Sequence, residues 1–251
     1  MTGRLFLHEL RAQQRLFWRT WEATFFTFLL PIIFLAIFGA IYGDADIDGT
    51  RGSTFLLGGM IGFGIAASAF GGLAITVVLR RESGLLKRIR GTPLPPWIHL
   101  GAMIGSVLIV TAISVAVQLV LAHLAFDADL PGSPWSFAIE LLVGTAAFAA
   151  LGLAITGFVR SAEGSSAIVN AIYLPMTFIS GAWFSTEAMP TFLQAIAEIL
   201  PLTHLLRLLR GSIVSGETVV DHPTNLIALA AWGVIGLVLA LRAFRWEPRA
   251  T

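Results

Sequence analysis

The side chains of this sequence that could carry out chemistry are few, and their spacing matches no familiar catalytic pattern. Cysteine is absent, which excludes disulfides, thiolate metal sites and cysteine nucleophiles. The five histidines are scattered along the chain, at positions 8, 99, 123, 204 and 222, and neither H-E-x-x-H nor G-x-S-x-G occurs. We therefore expect neither a bound metal nor a catalytic centre of these kinds.

A nucleotide-binding loop is also missing. A P-loop needs the pattern G-x-x-x-x-G-K-[ST], in which the lysine reaches the phosphates. Lys87 is the only lysine of the chain, and it is followed by Arg88 with no glycine frame before it. We therefore expect that this chain does not bind ATP through a P-loop.

Two acidic features leave alternatives open. Glu140 falls near the first turn of an apolar segment, where a carboxylate is either a functional intramembrane acid or part of a water-facing helix start. Asp44, Asp46 and Asp48 alternate in a loop, but the later glutamate and flanking helix of an EF-hand are absent, which favours a solvated acidic loop over a calcium site.

A polar stripe runs along one of the apolar segments. Its members are Thr111, Ser114, Gln118 and His123. Hydrogen bonds between helices are the favoured role for such residues, and a place on a transport pathway is the alternative.

The stretch RRESGLLKRIRGTPLPP, residues 80–96, is the one strongly charged run between long apolar segments. Its residues 81–90 predict a helix of about two and a half turns with Leu85, Leu86 and Ile89 on one face. The basic side chains around that face are Arg80, Arg81, Lys87, Arg88 and Arg90. Such a patch suits either the groove of a soluble partner or a surface of anionic lipid, and the residues alone do not separate the two.

Composition decides what kind of protein positions these residues. The chain is 56% hydrophobic and 12% charged, with a mean hydropathy of +0.82, whereas about a quarter of the residues of a soluble domain are charged. No soluble core could bury this much apolar surface. The sequence therefore predicts an all-α integral membrane protein with a single domain over residues 1–251.

Six apolar segments predict membrane-spanning helices, at about residues 21–42, 55–79, 98–126, 135–159, 167–184 and 226–241. The second is rich in small residues, including Gly58-x-x-x-Gly62, which indicates close packing against another span or a second subunit. Residues 189–213 form two short segments divided by Pro201, each too short to cross a core of ~30 Å. They predict a re-entrant helix pair between spans 5 and 6, and a full span is the alternative.

The N-terminal residues 2–19 predict an amphipathic helix in the membrane interface. At about 100° per residue, Phe6, Leu10 and Phe17 share one face. The opposite face carries Arg4, His8, Arg11, Arg15 and Arg19. The alternative is that these residues are only the basic flank of the first span.

The distribution of basic residues predicts the orientation. Six spans put both termini on one side, which collects 13 of the 16 basic residues: Arg4, Arg11, Arg15, Arg19, Arg80, Arg81, Lys87, Arg88, Arg90, Arg160, Arg242, Arg245 and Arg249. Arg51, Arg207 and Arg210 fall on the other side. The positive-inside rule then predicts a multi-pass plasma (inner) membrane protein with both termini in the cytoplasm.

Two stretches resemble a known family. ESGLLKRIRGTPLPPW resembles the cytoplasmic loop of ABC-2 type permeases, the membrane subunits of one class of ATP-binding cassette exporters, where the loop reads roughly E-x-G-T-L-x-x-L-x-x-T-P. The matching residues are Glu82, Gly84, Leu86, Ile89, Thr92 and Pro93, whereas Leu85 replaces the usual threonine. PMTFISGAWFSTEAMPTFLQAIAEILPLTHLLRLLRG resembles the family's segment after span 5, through Ser180, Gly181, Phe184, Pro190, Pro201, Leu202, Thr203, Arg210 and Gly211.

The resemblance implies an exporter built from two permease subunits, identical or different, and two P-loop ATPase subunits. ATP and magnesium would lie on the ATPases, and this chain would bind no cofactor. The coupling helix on the ATPase would involve Arg81, Glu82, Gly84, Leu85, Leu86, Arg88, Ile89, Thr92 and Pro93. An extracellular gate in the re-entrant pair would involve Phe184, Pro190, Pro201 and Arg210.

The resemblance further implies outward transport of an amphiphilic drug, antibiotic or lipid-like molecule, as in multidrug efflux and antibiotic resistance. The partners would be the ATPase, the second permease and membrane lipid, with no nucleic acid. Two other functions stay open from the residues: a membrane enzyme acting on lipid through Glu140 or His123, and a scaffold without transport.

Overall fold

The computed structural model describes residues 2–159, 161–244 and 246–247, and this part of the chain is almost entirely helical. Its helices are α1 (Thr2–Arg19), α2 (Trp21–Tyr42), α3 (Gly52–Ile65), α4 (Leu73–Glu82), α5 (Leu85–Arg90), α6 (Pro96–Phe126), α7 (Pro134–Thr156), α8 (Ala162–Ile179), α9 (Thr191–Ala197), α10 (Pro201–Arg210) and α11 (Pro223–Ala243). Arg160, Arg245 and Arg249 of the charge distribution lie outside the described residues.

Shorter elements complete the chain. Two π-helical segments, Ala66–Gly72 and Gly211–Ser215, and a 3₁₀ turn, Thr186–Ala188, lie between the helices. The predicted acidic loop is a small hairpin of β1 (Asp46–Ile47) and β2 (Thr50–Arg51). Its turn residues Asp48 and Gly49 have φ of 53° and 74°, as a two-residue hairpin turn requires.

Five helical runs in the described residues are long and apolar enough to cross a membrane, which confirms an all-α integral membrane protein. They are Thr24–Tyr42, Gly52–Glu82, Pro96–Phe126, Pro134–Thr156 and Pro223–Ala243. The run Gly52–Glu82, named span 2 below, joins α3, the first π-helical segment and α4 into one rod. The face of the bundle that carries α1 is called the α1 face, and the opposite face, with β1 and β2, the hairpin face.

The predicted fifth span is α8, which contains Glu163 and Asn170 and is less apolar than the five runs above. Just before α8, the carbonyl of Val159 accepts a bond from Arg81 of span 2. Just after α8, the carbonyl of Ala182 lies against Gly59 of span 2. These two positions of span 2 are separated by about 33 Å at 1.5 Å per residue, so α8 runs from one face of the bundle to the other.

The predicted re-entrant pair corresponds to α9 and α10, which meet at a bend of 84°. Pro201 is the first residue of α10, where a proline needs no hydrogen-bond partner. Along span 2, Gly62 is next to Leu206, and Gly58, nearer the hairpin face, is next to Arg210. Helix α10 therefore rises from the bundle interior back toward the hairpin face, from which the chain entered.

Span 2 forms the centre of the bundle, and every residue of α3 except Gly64 is buried. Its glycines allow backbones to touch, as predicted: an added Cβ at Gly59 would lie 1.9 Å from the Ala182 carbonyl oxygen. On α7, a Cβ at Gly152 would lie 2.7 Å from the carbonyl oxygen of Phe70, inside the π-helical segment. The partners of the predicted close packing are therefore other segments of the same chain.

The polar stripe of α6 fastens helices together. Pro31 of α2 has no N–H, which leaves the carbonyl of Thr27 without its helical donor. Ser114 of α6 donates its hydroxyl to that carbonyl at 3.2 Å, and Gln118 donates in turn to the Ser114 hydroxyl at 3.3 Å. These bonds support the predicted role in packing between helices.

Candidate functional site

The charged stretch forms a sharp corner between α4 and α5. Gly84 has a φ of +72°, a left-handed conformation that glycine adopts without steric cost. The predicted helix over residues 81–90 is therefore wrong in its start: Arg81 and Glu82 end α4, and α5 begins at Leu85. The physical reason is the left-handed residue, which interrupts the right-handed helix and turns the chain.

Arg81 lies inside the protein, with only 1% of its side chain exposed. Its Nη1 donates to the carbonyl of Thr156 and its Nη2 to that of Val159, both at 2.7 Å. Its Nε donates to Glu82 at 3.0 Å. The carbonyls at the end of α7 lack helical partners, and a cation is favoured there. Arg81 therefore clamps α4 to the end of α7, and the expected place on an exposed contact surface is wrong for this residue.

Helix α5 turns its apolar side inward. Leu86 is fully buried in the core and Ile89 is partly buried against it, whereas Leu85 is 39% exposed. The predicted apolar docking patch is therefore wrong, because two of its three residues pack against this chain. The exposed residues of α5 and the turn after it are Leu85, Lys87, Arg88, Arg90, Gly91, Thr92 and Pro93. What faces outward is a basic surface with a single leucine.

Helix α1 is anchored beside this corner, as its predicted two faces suggested. Phe6 and Leu10 pack against the glycines of α6, and the arginines of α1 are exposed. Sequence reasoning missed the polar residues on the inner face. Gln13 donates to Glu9 at 2.7 Å and accepts from Arg80 at 2.7 Å, and Glu9 also contacts His99 of α6 at 2.8 Å.

At the hairpin face, Arg210 holds the end of α10 to span 2. Its Nη2 donates to the carbonyl of Gly181 at 2.7 Å, and its guanidinium carbon lies 3.6 Å from the centre of the Phe55 ring. The aliphatic part of the Arg210 side chain passes over Gly58, where an added Cβ would lie only 2.8 Å from Arg210 Cγ. Gly181 itself has a φ of +82°, which reverses the chain after α8.

The four predicted gate residues do not form one cluster. Phe184 and Pro190 are exposed, whereas Pro201 is buried, about 14 Å along α10 from Arg210. Instead, Trp183 is the centre of an aromatic group that sequence reasoning missed. Its ring centre lies 4.9–5.8 Å from those of Phe34, Phe38, Phe63 and Phe178. The neighbouring helices α2, α3 and α8 all contribute to that group.

Glu140 is buried, with 1% exposure, so the water-facing alternative is wrong. Its Oε1 accepts from Ser212 at 2.8 Å and from Ser136 at 3.2 Å. Ser212 lies in the π-helical segment directly after α10. The carboxyl therefore ties α7 to the segment directly after α10.

The described residues do not assemble a catalytic centre from the two candidates. Glu140 bonds to Ser136 and Ser212, whereas His123 contacts the carbonyl of Ala128 at the end of α6. Within the part of the chain that the structure describes, no three His, Asp or Glu side chains meet in a way that could hold a metal ion.

Comparison with known proteins gives a consistent match. The profile of the ABC-2 type transporter family matches residues 4–214. The chain is 29% identical over 177 residues to the transport permease YvfS of Bacillus subtilis (strain 168), covering 70% of this chain and 72% of that protein. It is 26% identical over 219 residues to Nodulation protein J of Neorhizobium galegae, covering 86% and 82%. It is 21% identical over 197 residues to the inner membrane transport permease YadH of Escherichia coli (strain K12), covering 76% and 75%.

Proposed function

The chain belongs to the ABC-2 type transporter family, and we propose that it is the permease subunit of an exporter powered by a separate P-loop ATPase. ATP and magnesium belong to the ATPase, and the cargo is an amphiphilic drug, antibiotic or lipid-like molecule. The α1 face is cytoplasmic, and the hairpin face with its re-entrant pair is extracellular. Two permease subunits, identical or different, complete the assembly in the plasma membrane.

The observation that carries this proposal is that span 2 is fastened at both ends. At the α1 face, Arg81 ties it to α7 beside the exposed basic surface of α5. At the hairpin face, Arg210 ties it to α10 and to the reversal after α8. A push on α5 therefore reaches the re-entrant pair through one continuous rod.

Roles follow from the positions of the residues. The outward residues Leu85, Arg88, Thr92 and Pro93 contact the ATPase, and Lys87 and Arg90 add positive charge to the same surface. Glu82 and Gly84 set the corner angle, while Arg81, Leu86 and Ile89 transmit its movement to the bundle. At the other face, Arg210 and Pro201 belong to the moving gate element, and Phe184 and Pro190 line its outer surface.

The test uses two glycines that flank α5. Gly84 has a φ of +72°, which proline cannot adopt, whereas Gly91 has a φ of −76° that alanine accepts. The chain is co-expressed with a P-loop ATPase from the same organism, and uptake of a fluorescent amphiphilic cation into inverted vesicles is measured.

We expect the ATPase to co-purify with the wild-type chain. Gly84→Pro should abolish ATP-driven uptake while membrane insertion stays intact, and Gly91→Ala should retain uptake. Undiminished uptake by the Gly84→Pro chain would remove the coupling role of this corner.

A further inference from the structure

We propose that the arginine face of α1 is a binding site for anionic phospholipid headgroups, and that its occupancy sets the position of Arg80 at the end of span 2. The arginine face is defined as Arg4, His8, Arg11, Arg15 and Arg19. The binding half of this inference stands on α1 alone, whereas the effect on transport rests on the proposed function.

The five side chains form one exposed row. They recur every three to four residues, so they share a face of the helix, and the row from Arg4 to Arg19 extends about 22 Å along its axis. Within the described residues, none of the five makes an ion pair with an acidic side chain. Glu9 is the only acidic residue of α1, and it points inward to Gln13 and His99. The outer face therefore carries positive charge without an internal counterion.

The flanks of this row are apolar. Leu5 and Leu16 are 41% and 48% exposed on one side of the helix, and Leu7 and Trp18 are 45% and 46% exposed on the other. A helix with exposed apolar flanks and an arginine row lies with its flanks in the lipid and its charges at the headgroups. A groove in an acidic protein would leave those flanks in water, so the membrane is the better partner.

The chemistry of the row selects phosphate. Guanidinium groups present planar pairs of N–H donors that match phosphate oxygens, and they remain charged at any physiological pH. Anionic phospholipids add a net negative charge that zwitterionic phosphatidylcholine lacks, so the row should prefer phosphatidylglycerol to phosphatidylcholine.

Hydrogen bonds on the inner face of α1 couple the position of this helix to the end of span 2. Glu9 accepts from Gln13, Gln13 accepts from Arg80, and Arg80 directly precedes the Arg81 clamp. Gln14 adds a second anchor through bonds to the carbonyl and the hydroxyl of Ser106 in α6. A change in how deeply α1 lies at the membrane surface therefore moves Arg80, and with it the corner before α5.

The binding half is tested on the full chain alone. The protein is purified with equal amounts of phosphatidylglycerol and phosphatidylcholine, and retained lipids are counted by native mass spectrometry. The test variant combines Arg4→Gln, Arg11→Gln, Arg15→Gln and Arg19→Gln. The control removes four exposed basic charges elsewhere on the same face: Lys87→Gln, Arg88→Gln, Arg90→Gln and Arg242→Gln.

We expect the wild-type chain and the control to retain phosphatidylglycerol preferentially, and the α1 variant to lose at least threefold of it with phosphatidylcholine unchanged. Equal retention by the α1 variant and the wild type would overturn the site. An equal loss in the control would also overturn it, because net charge alone would then explain binding.

The transmission half is tested on the complex with the ATPase in nanodiscs of either lipid. Phosphatidylglycerol should raise ATP turnover of the wild-type complex, and Gln13→Met should keep the lipid but lose at least half of that rise. A rise that persists in Gln13→Met would overturn transmission through Arg80.

Loss of the co-purified ATPase in the α1 variant in pure phosphatidylcholine would make the row a protein contact and overturn the lipid site. Lipid selectivity without any ATPase partner would leave the site standing and count against the proposed function.

Discussion

Arg81 reaches across 78 residues of sequence to donate from Nη2 to the carbonyl of Val159 at 2.7 Å. With the bond from Nη1 to the carbonyl of Thr156, this contact closes the end of α7. The residue that sequence reasoning assigned to an exposed contact is thus an internal joint of the bundle.

Replacement of Arg81 by methionine should destabilise the fold by on the order of 3 kcal/mol, because two buried carbonyls would lose charge-assisted bonds. For a chain of this size that corresponds to a fall in melting temperature of about 6–12 °C. The melting temperature is measured in detergent from tryptophan fluorescence during heating. Arg88→Met, at an exposed position of α5, is the control and should stay within about 0.5 kcal/mol. Equal melting of Arg81→Met and wild type would contradict the clamp.

Two glycines of span 2 offer a matched comparison. A Cβ at Gly59 would lie 1.9 Å from the backbone oxygen of Ala182, whereas at Gly72 the nearest atom within reach is a carbonyl oxygen at 3.5 Å. Gly59→Ala should therefore force the turn after α8 away from span 2 and lower folded yield, by about 1–3 kcal/mol of overpacking cost. Gly72→Ala should be tolerated. Size-exclusion profiles and melting temperatures distinguish the two, and similar behaviour of both variants would show that the turn is free to shift.

The pairing of Ser114 with the Thr27 carbonyl depends on Pro31. Ser114→Ala leaves that carbonyl unpaired and should cost about 1 kcal/mol or more. Pro31→Ala supplies the missing N–H, so the serine becomes dispensable. A double-mutant cycle on melting free energy should therefore show a coupling of about 1 kcal/mol between the two sites. Additive effects would mean that the serine bond does not compensate for the proline.

Asp127 and Arg51 predict a dependence on pH. Arg51 donates to Asp127 at 2.8 Å and holds the pKa of that carboxyl below its usual value of about 3.9. Because the folded pKa is the lower one, the stabilisation is present above about pH 4 and disappears as the pH falls through the lowered pKa. The melting-temperature difference between wild type and Asp127→Asn should therefore be larger at pH 5 than at pH 3. A difference that does not change with pH would show that the pair contributes nothing.

The membrane class, five of the spans and the break at Pro201 were predictable because long apolar runs and a proline are local features of the sequence. The two faces of α1 followed from the spacing of Phe6, Leu10 and the arginines. The inner polar residues Glu9 and Gln13 were not predicted, because their partners Arg80 and His99 lie far away in sequence.

The direction in which the apolar side of α5 faces could not be predicted from the sequence either. Periodicity shows that Leu85, Leu86 and Ile89 share a side of the helix, but it does not show whether that side meets a partner or the chain's own core. The left-handed Gly84 sets that direction by turning the chain at the corner. Likewise, the sequence does not distinguish Arg81 from the other charges of the basic run, because its partners, the carbonyls of Thr156 and Val159, are distant in sequence.

The π-helical segment Ala66–Gly72 gives span 2 a surplus residue within an otherwise α-helical rod. One residue corresponds to about 100° of rotation around the helix axis. The half of span 2 near Arg210 is therefore turned by about 100° from the orientation that an uninterrupted α-helix would give it relative to the half near Arg81. The surplus residue therefore decides which side of span 2 meets Arg210, while the number of residues in the rod decides how far it reaches.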